Sequence, residues 1–421
     1  SEENLANIYT VIRDYSKAIE YHQISLRRMR ETQDKQGEAS VLGNLGNVYA
    51  LQKEYDVAIS YRKQSLSLNK EIGAIDSMLW NLSCLGDAYI ELQDYSTAIT
   101  YYEQQLNISR EVKFQNEEVS ALANLGGSYY LKGNYFLAID YYKQQLTIAR
   151  ELQDQYEQVE ALANLAHSYH HSKDYNESIK YYLDSLVILQ EIKQPKIKRQ
   201  VLTSLGEIYA KLEDYTKAVE YHQQSLSVAQ EIGEEQLQVD ALLNLASALY
   251  YSGSYSESIE CYHRSLAISK TIKDYKAEKL ALGNIGSTYQ TLGGYLKSIE
   301  FLEKSLQIAQ EIKDRKGEGE ALNNLGLTYY NLNQYEVAIE YYEQSLIIKR
   351  EIEDQLGEIN TLNNLGNVYF EIEDYAQAID YHEQSLRLAQ KIKNRWRERN
   401  SLGNLGNVYC DLGEYDKAIE Y

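Results

Sequence analysis

An all-α solenoid follows from three features of the sequence. A tyrosine recurs every 40 residues without slippage, from Tyr15, Tyr55 and Tyr95 to Tyr375 and Tyr415. Two apolar stripes at helical spacing fall inside each period, and one proline is present in 421 residues. A fixed period of this size marks stacked supersecondary units, because two short helices cannot bury their stripes alone. About ten and a half repeats are expected, forming a single array over 1–421. No linker, low-complexity tract or composition shift interrupts it.

The unit 38–77 shows each element in order. Leu42, Leu45, Gly46 and Tyr49 share one helical face, so Glu38 to Leu51 reads as a first helix. Lys53-Glu54-Tyr55 reads as a turn, and it becomes Lys-Gly-Asn-Tyr at 132–135 and Gly-Gly-Tyr at 293–295. Ala58, Ile59, Tyr61, Ser65, Leu66, Leu68 and Ile72 predict a second helix from about Asp56 to Ile72. A polar loop is expected next, as in Lys313-Asp314-Arg315-Lys316-Gly317.

Small residues occupy two columns. Gly46, Gly86, Gly126, Gly206, Gly286, Gly326, Gly366 and Gly406 share one, with alanine at Ala166 and Ala246. Glycine inside a helix costs about 1 kcal/mol against alanine. Its recurrence predicts a close approach by the partner helix. Ala58 and its equivalents, among them Ala98, Ser178 and Ala338, form the matching column on the second helix. Tyrosines at 49, 55 and 61 supply large flat surfaces with a hydroxyl at the tip.

Leu325-Gly326, Tyr329, Tyr335, Ala338, Tyr342 and Ser345 together resemble the tetratricopeptide repeat (TPR) family, and the pattern covers the whole chain. Two departures stand out. Leucine (Leu42 through Leu402) replaces the family's usual tryptophan, and the closing proline is missing. With Asn44-Leu45-Gly46-Asn47 and Asn404-Leu405-Gly406-Asn407, this 40-residue variant is similar to the arrays of LGN/Pins proteins, more loosely to kinesin light chains, and to bacterial (cyanobacterial-like) arrays. The resemblance implies a right-handed α-α superhelical solenoid of stacked helix-turn-helix repeats whose first helices line the concave side. Ser1 falls within a first helix and Tyr421 within a second, so a fragment of a longer protein is expected.

The candidate site lies on the first helices, beside the apolar stripe. Asn44, Asn124, Asn164, Asn244, Asn284, Asn324, Asn364 and Asn404 share one position, and Asn47, Asn367 and Asn407 follow three residues on. An asparagine both donates and accepts. A ladder of them suits an extended peptide, which presents one N–H and one C=O per residue. The resemblance implies the same, since such arrays hold peptides through asparagines. The competing reading is that these amides bond neighbouring helices.

Charge gives a second expectation. Glu160, Asp240, Glu320, Asp87, Glu207, Glu91, Glu371 and Asp411 fall on the expected groove side, against Lys211. A mildly acidic trough favours a neutral or basic partner and disfavours a two-lysine clamp for acidic peptide ends. The competing reading is a general acidity, since the net charge is −20.

Other chemistry is weakly supported. His167, His170 and His171 share a helix, and His167 with His171 and Glu207 would make a metal set, but ordinary surface histidines are the better reading. Lys193, Lys196, Lys198 and Arg199 around Pro195 read as an irregular basic loop at which the array would bend. Arg395, Arg397 and Arg399 beside Trp396 read as a solvated basic patch. No Ser/His/Asp or Cys/His set shares a repeat, so no catalysis, cofactor or metal is expected. The charge argues against nucleic acid. There is no apolar run of membrane length and no leader before Asn4, and Cys84, Cys261 and Cys410 are too scattered for a disulfide framework. An acidic, cytoplasmic protein-interaction scaffold with a peptide-binding groove is therefore expected. The alternatives are a regulatory or sensor arm of a larger enzyme, such as a protease or signalling protein, and a self-associating rod.

Overall fold

The structure is a computed structural model and describes residues 2–421. The expectation for Ser1 lies outside the described residues. Among the described residues there are twenty-two α-helices and no strand. Contacts divide the chain into two units, Ser1–Gln194 and Pro195–Tyr421.

The first unit holds α1 (Glu2–Val11), α2 (Tyr15–Glu31), α3 (Lys35–Leu51), α4 (Tyr55–Ile72), α5 (Ile75–Glu91), α6 (Tyr95–Val112), α7 (Gln115–Leu131), α8 (Tyr135–Glu151), α9 (Gln155–His171) and α10 (Tyr175–Ile188). The second holds α11 (Pro195–Lys211), α12 (Tyr215–Ile232), α13 (Glu235–Tyr251), α14 (Tyr255–Ile272), α15 (Tyr275–Thr291), α16 (Tyr295–Glu311), α17 (Arg315–Asn331), α18 (Tyr335–Glu351), α19 (Gln355–Glu371), α20 (Tyr375–Lys391), α21 (Arg395–Asp411) and α22 (Tyr415–Glu420). Odd numbers are the first helices of the repeats, and even numbers are the second.

The expected turn is shorter than its sequence suggests, because Tyr55 and its equivalents begin the second helix. The reversal needs one left-handed residue, Lys53 at φ 64° or Gly133 at φ 80°. An aspartate then caps many of the helices. Asp94 accepts from the Thr97 backbone N–H at 3.1 Å.

The polar loop expected at 313–317 is corrected in the same way. Asp314 accepts from the Gly317 N–H at 3.0 Å, so α17 starts at Arg315. Likewise α3 starts at Lys35 rather than Glu38, capped by Asp34 on Gly37 at 2.9 Å. Gly317 and Gly37 hid these starts, since glycine between charges reads as loop.

Leu42, Leu45, Leu82, Leu85 and their equivalents are buried between helices. Each such side chain contributes about 1.5–3 kcal/mol of burial free energy. The glycine column does admit a neighbour: one bulky side chain of the second helix, and at Gly46 and Gly286 also that helix's backbone, with the Ala58 and Ser298 carbonyls 3.2 Å from an added Cβ. A Cβ at Gly126 would lie 2.5 Å from the Tyr142 ring, and one at Gly366 would lie 2.5 Å from His382. This facing column runs His22, Arg62, Tyr102, Tyr142, Tyr182, His222, Tyr262, Leu302, Tyr342 and His382. The other tyrosines pair off. Tyr49 stacks on Tyr61 with centroids 5.5 Å apart, and Tyr129 stacks on Tyr141 at 5.4 Å.

Within each unit, each helix packs on the next, and first helices also touch one another, as in α5–α7, α7–α9, α15–α17, α17–α19 and α19–α21. Near Pro195 the order loosens. α10 has 14 residues where the complete second helices have 17 or 18, and the boundary between the units falls there. The basic loop expected here is part helix: Pro195 opens α11, a position where its missing N–H costs nothing. Lys196 pairs with Glu234 at 2.7 Å.

Candidate functional site: an amide-lined face of the first helices

Every position of the asparagine ladder, from Asn44 to Asn404, is half-buried in the middle of its first helix. Asn47 and Asn407 are exposed, Asn367 is half-buried, and Glu207 and Glu371 are exposed. Some ladder amides bond the preceding first helix. Asn364 Nδ2 donates to Asn323 Oδ1 at 3.2 Å, Asn324 Nδ2 to Ser287 Oγ at 3.4 Å, and Asn124 Nδ2 to Ser83 Oγ at 3.5 Å. Asn44 Nδ2 reaches the Glu3 carboxylate at 3.4 Å. These bonds are long, and each uses one of the two amide hydrogens.

The ladder is gathered most densely on α17, α19 and α21. A cavity of about 630 Å³ there is lined by twelve residues, of which eight are asparagines. Four were expected: Asn364, Asn367, Asn404 and Asn407. Four were not: Asn323, Asn360, Asn363 and Asn400. The doublets Asn323-Asn324 and Asn363-Asn364 were the available signal. Arg397, Arg399 and Trp396 complete the wall, so the patch expected to be merely solvated faces this cavity. The Arg397 guanidinium donates to Asn360 Oδ1. No carboxylate lines this cavity.

Asn324 lies in an adjoining cavity of about 420 Å³ with Glu320, Lys316 and the Lys349–Asp354 pair. Charge there is mixed rather than acidic. Asn124 and Asn164 line a separate cavity of about 440 Å³ beside Asp87, Glu91, Tyr102 and Tyr142. Asn44 and Asn47 belong to two smaller cavities on either side of Arg62. Asn244, Asn284 and Glu207 lie outside all of these. Several expected groove acids are held by tyrosine hydroxyls: Tyr102 donates to Asp87 at 2.6 Å, Tyr55 to Glu91 at 3.1 Å and Tyr330 to Glu371 at 3.1 Å.

The histidines pack as aromatics. His167 Nδ1 bonds the Ala163 carbonyl at 3.0 Å and its ring stands edge-on to Tyr182, while burial pulls its pKa below the ordinary value. His171 stacks on Tyr135. Among the described residues no group of three or more His, Cys, Asp or Glu is placed to hold a metal ion. Burial pushes the Cys84 thiol up, away from the thiolate. Among the described residues no helix is long and apolar enough to cross a membrane.

A family model described as tetratricopeptide repeat matches residues 1–71, 77–151, 117–191, 198–271, 278–351 and 357–421. The chain belongs to the tetratricopeptide repeat family, and it is a helical-repeat scaffold for protein interaction. Among solved structures it is similar to the apo form of RapI, with 17% identity over 62% of this chain and 94% of that one, and a TM-score of 0.52. The apo quorum sensor NprR from B. thuringiensis is 16% identical over 82% of this chain and 97% of that one, with a TM-score of 0.51. A signal transduction ATPase with a tetratricopeptide repeat sensor from Pyrococcus horikoshii is 18% identical over 76% of this chain, with a TM-score of 0.53. The match spans 51% of that ATPase. No curated protein matches the chain.

Proposed function

We propose that the chain binds an extended peptide segment of a partner protein along its first helices, gripping the peptide backbone with the asparagine ladder and performing no catalysis. One observation carries this reading: eight asparagines converge on one open cavity on α17, α19 and α21. Each amide offers donors and an acceptor in one plane. An extended peptide needs both along its edge, whatever its side chains. The cavity's own charges are Arg397 and Arg399, so it takes a neutral or acidic stretch and disfavours a basic one. A basic stretch suits Glu207, Glu320 and Glu371 elsewhere on the face. The reading includes a cytoplasmic setting, a single array over 1–421, and no role for nucleic acid, membrane or cofactor.

The test is selection of peptides from a random library on the full chain, followed by titration calorimetry of a selected peptide. Asn364→Ala with Asn404→Ala should weaken binding at least about 10-fold, or roughly 1.4 kcal/mol, at unchanged helix content. Equal affinity would remove the ladder from the mechanism. A second reading, a sensor arm of a larger enzyme, is favoured by the alignment with about half of the Pyrococcus horikoshii ATPase, whose repeats are described as a sensor. A self-associating rod would show itself as size that rises with concentration.

A further inference from the structure

The column that faces the glycines is neutral except at one position. It carries tyrosine, histidine or leucine in the other repeats and arginine at Arg62. Arg62 is 5% exposed, between α3, α4 and α5. A buried charge is expected to have an opposite charge beside it, because its desolvation costs several kcal/mol. Among the described residues the other buried lysine or arginine follows that rule, since Lys349 pairs with Asp354 at 3.0 Å. Arg62 does not. Its Nη1 donates to the amide oxygen of Asn81 at 3.2 Å, and among the described residues no carboxylate lies within 4.0 Å of it.

A guanidinium has five N–H donors. One is used by Asn81, and the Arg62 side chain lines a cavity of about 280 Å³. Ser40, Asn44, Asn69, Ser77, Trp80 and Asn81 are among its walls, and no carboxylate is. The nearest acids sit on the other side. Asp87 and Glu91 line a neighbouring cavity with Cys84, and Asp87 Oδ1 is taken by the Tyr102 hydroxyl. Burial pulls the Arg62 pKa below its ordinary value, and the charge of Asp87 on the other side offsets this only in part. The Ser40 hydroxyl and the Asn44 amide already donate to the Glu3 carboxylate, at 3.3 Å and 3.4 Å, so Arg62 supplies the unused donors of the cavity.

We infer that the cavity between α3, α4 and α5 is a carboxylate site, in which Arg62 binds a single carboxylate group. One positive charge matches one negative charge, so a monocarboxylate fits better than a phosphate dianion. The carboxylate comes either from a glutamate or aspartate side chain of a bound peptide or from a small free acid. The inference goes beyond the peptide-binding reading, since the site lies in the first unit and does not use the α17–α21 cavity.

Trp80 on the cavity wall is the reporter. The chain has two tryptophans, so Trp396→Phe leaves Trp80 alone. The full chain with that change is titrated with N-acetyl-glutamate amide, with its glutamine counterpart, with a neutral Gly/Ser peptide carrying one central glutamate, and with inorganic phosphate. A saturable change in Trp80 emission is expected with the glutamate probes, at least 10-fold weaker with glutamine. Arg62→Tyr copies Tyr102 of the following repeat, and Arg62→Leu copies Leu302; both should lose at least 10-fold while melting as the parent does. Equal binding of the single residue and the peptide identifies a free acid. Peptide binding at least 10-fold tighter identifies a peptide side chain. The inference is overturned by equal glutamate and glutamine binding, by unchanged binding in both Arg62 variants, by phosphate binding as tightly as glutamate, or by no saturable change. The Asn364/Asn404 variant leaves this cavity intact, so a failure here and a failure of the α17–α21 ladder are told apart.

Discussion

The interior of each repeat and the face of its first helix obey different rules. Inside, a glycine on the first helix meets one bulky side chain of the second, and the arrangement recurs as Gly86–Tyr102, Gly206–His222, Gly286–Leu302 and Gly326–Tyr342. A bulky side chain fills the place each time while its chemistry changes. On the face, the ladder asparagine recurs while its surroundings change. Around Asn124 and Asn164 the neighbours are Ala123, Gly127 and Leu131 with the acids Asp87 and Glu91, whereas around Asn364 and Asn404 they are further asparagines and arginines. The interior therefore specifies how the helices stack. The face determines what a given stretch can hold, and identical ladder residues need not do identical work.

The largest expected effect comes from breaking the interior. Gly126→Ala puts a methyl group against the Tyr142 ring, which must shift, and overpacking of this kind costs about 1–3 kcal/mol. Urea unfolding should show the loss. The face comparison comes next. Asn364→Ala with Asn404→Ala should cost a selected peptide about 10-fold, whereas Asn124→Ala with Asn164→Ala should leave the same peptide within about 2-fold by calorimetry, because those amides stand apart from the dense cluster.

A smaller effect concerns acid. Burial holds His22, His222 and His382 at about 4, below the ordinary 6.5. Below 6.5 the unfolded chain takes up protons that the folded chain refuses, so stability is full above that value and falls as pH drops toward 4. The melting temperature should fall over this window. His222→Tyr with His382→Tyr should flatten the fall, since tyrosine fills the same place opposite Gly126 and Gly326. The smallest effect sharpens the first comparison. Gly127 is one residue from Gly126, but a Cβ there would meet nothing nearer than the Tyr142 hydroxyl at 3.7 Å. Gly127→Ala should gain about 0.5–1 kcal/mol from helix propensity alone.

Much of the fold was legible because the period is strict. Tyr55 and its equivalents set the register, and Gly46 with Ala58 announced a close approach. The starts at Lys35 and Arg315 were not legible, because an aspartate cap turns a glycine-containing polar stretch into a first helical turn. On the face, the ladder positions were readable one at a time. Their gathering at α17–α21 was not, since it depends on Asn323, Asn360, Asn363 and Asn400 coming from three helices. Arg62 was missed for a related reason: it lies on the second helix, in a column whose meaning comes from the glycine opposite.

The central claim is that the amide-dense face of α17, α19 and α21 grips a peptide backbone. It is tested most directly by measuring the affinity of one library-selected peptide for the parent chain and for the Asn364→Ala, Asn404→Ala variant, side by side by calorimetry. The account predicts a loss of at least about 10-fold with the variant still fully helical. The same affinity for both proteins would contradict it.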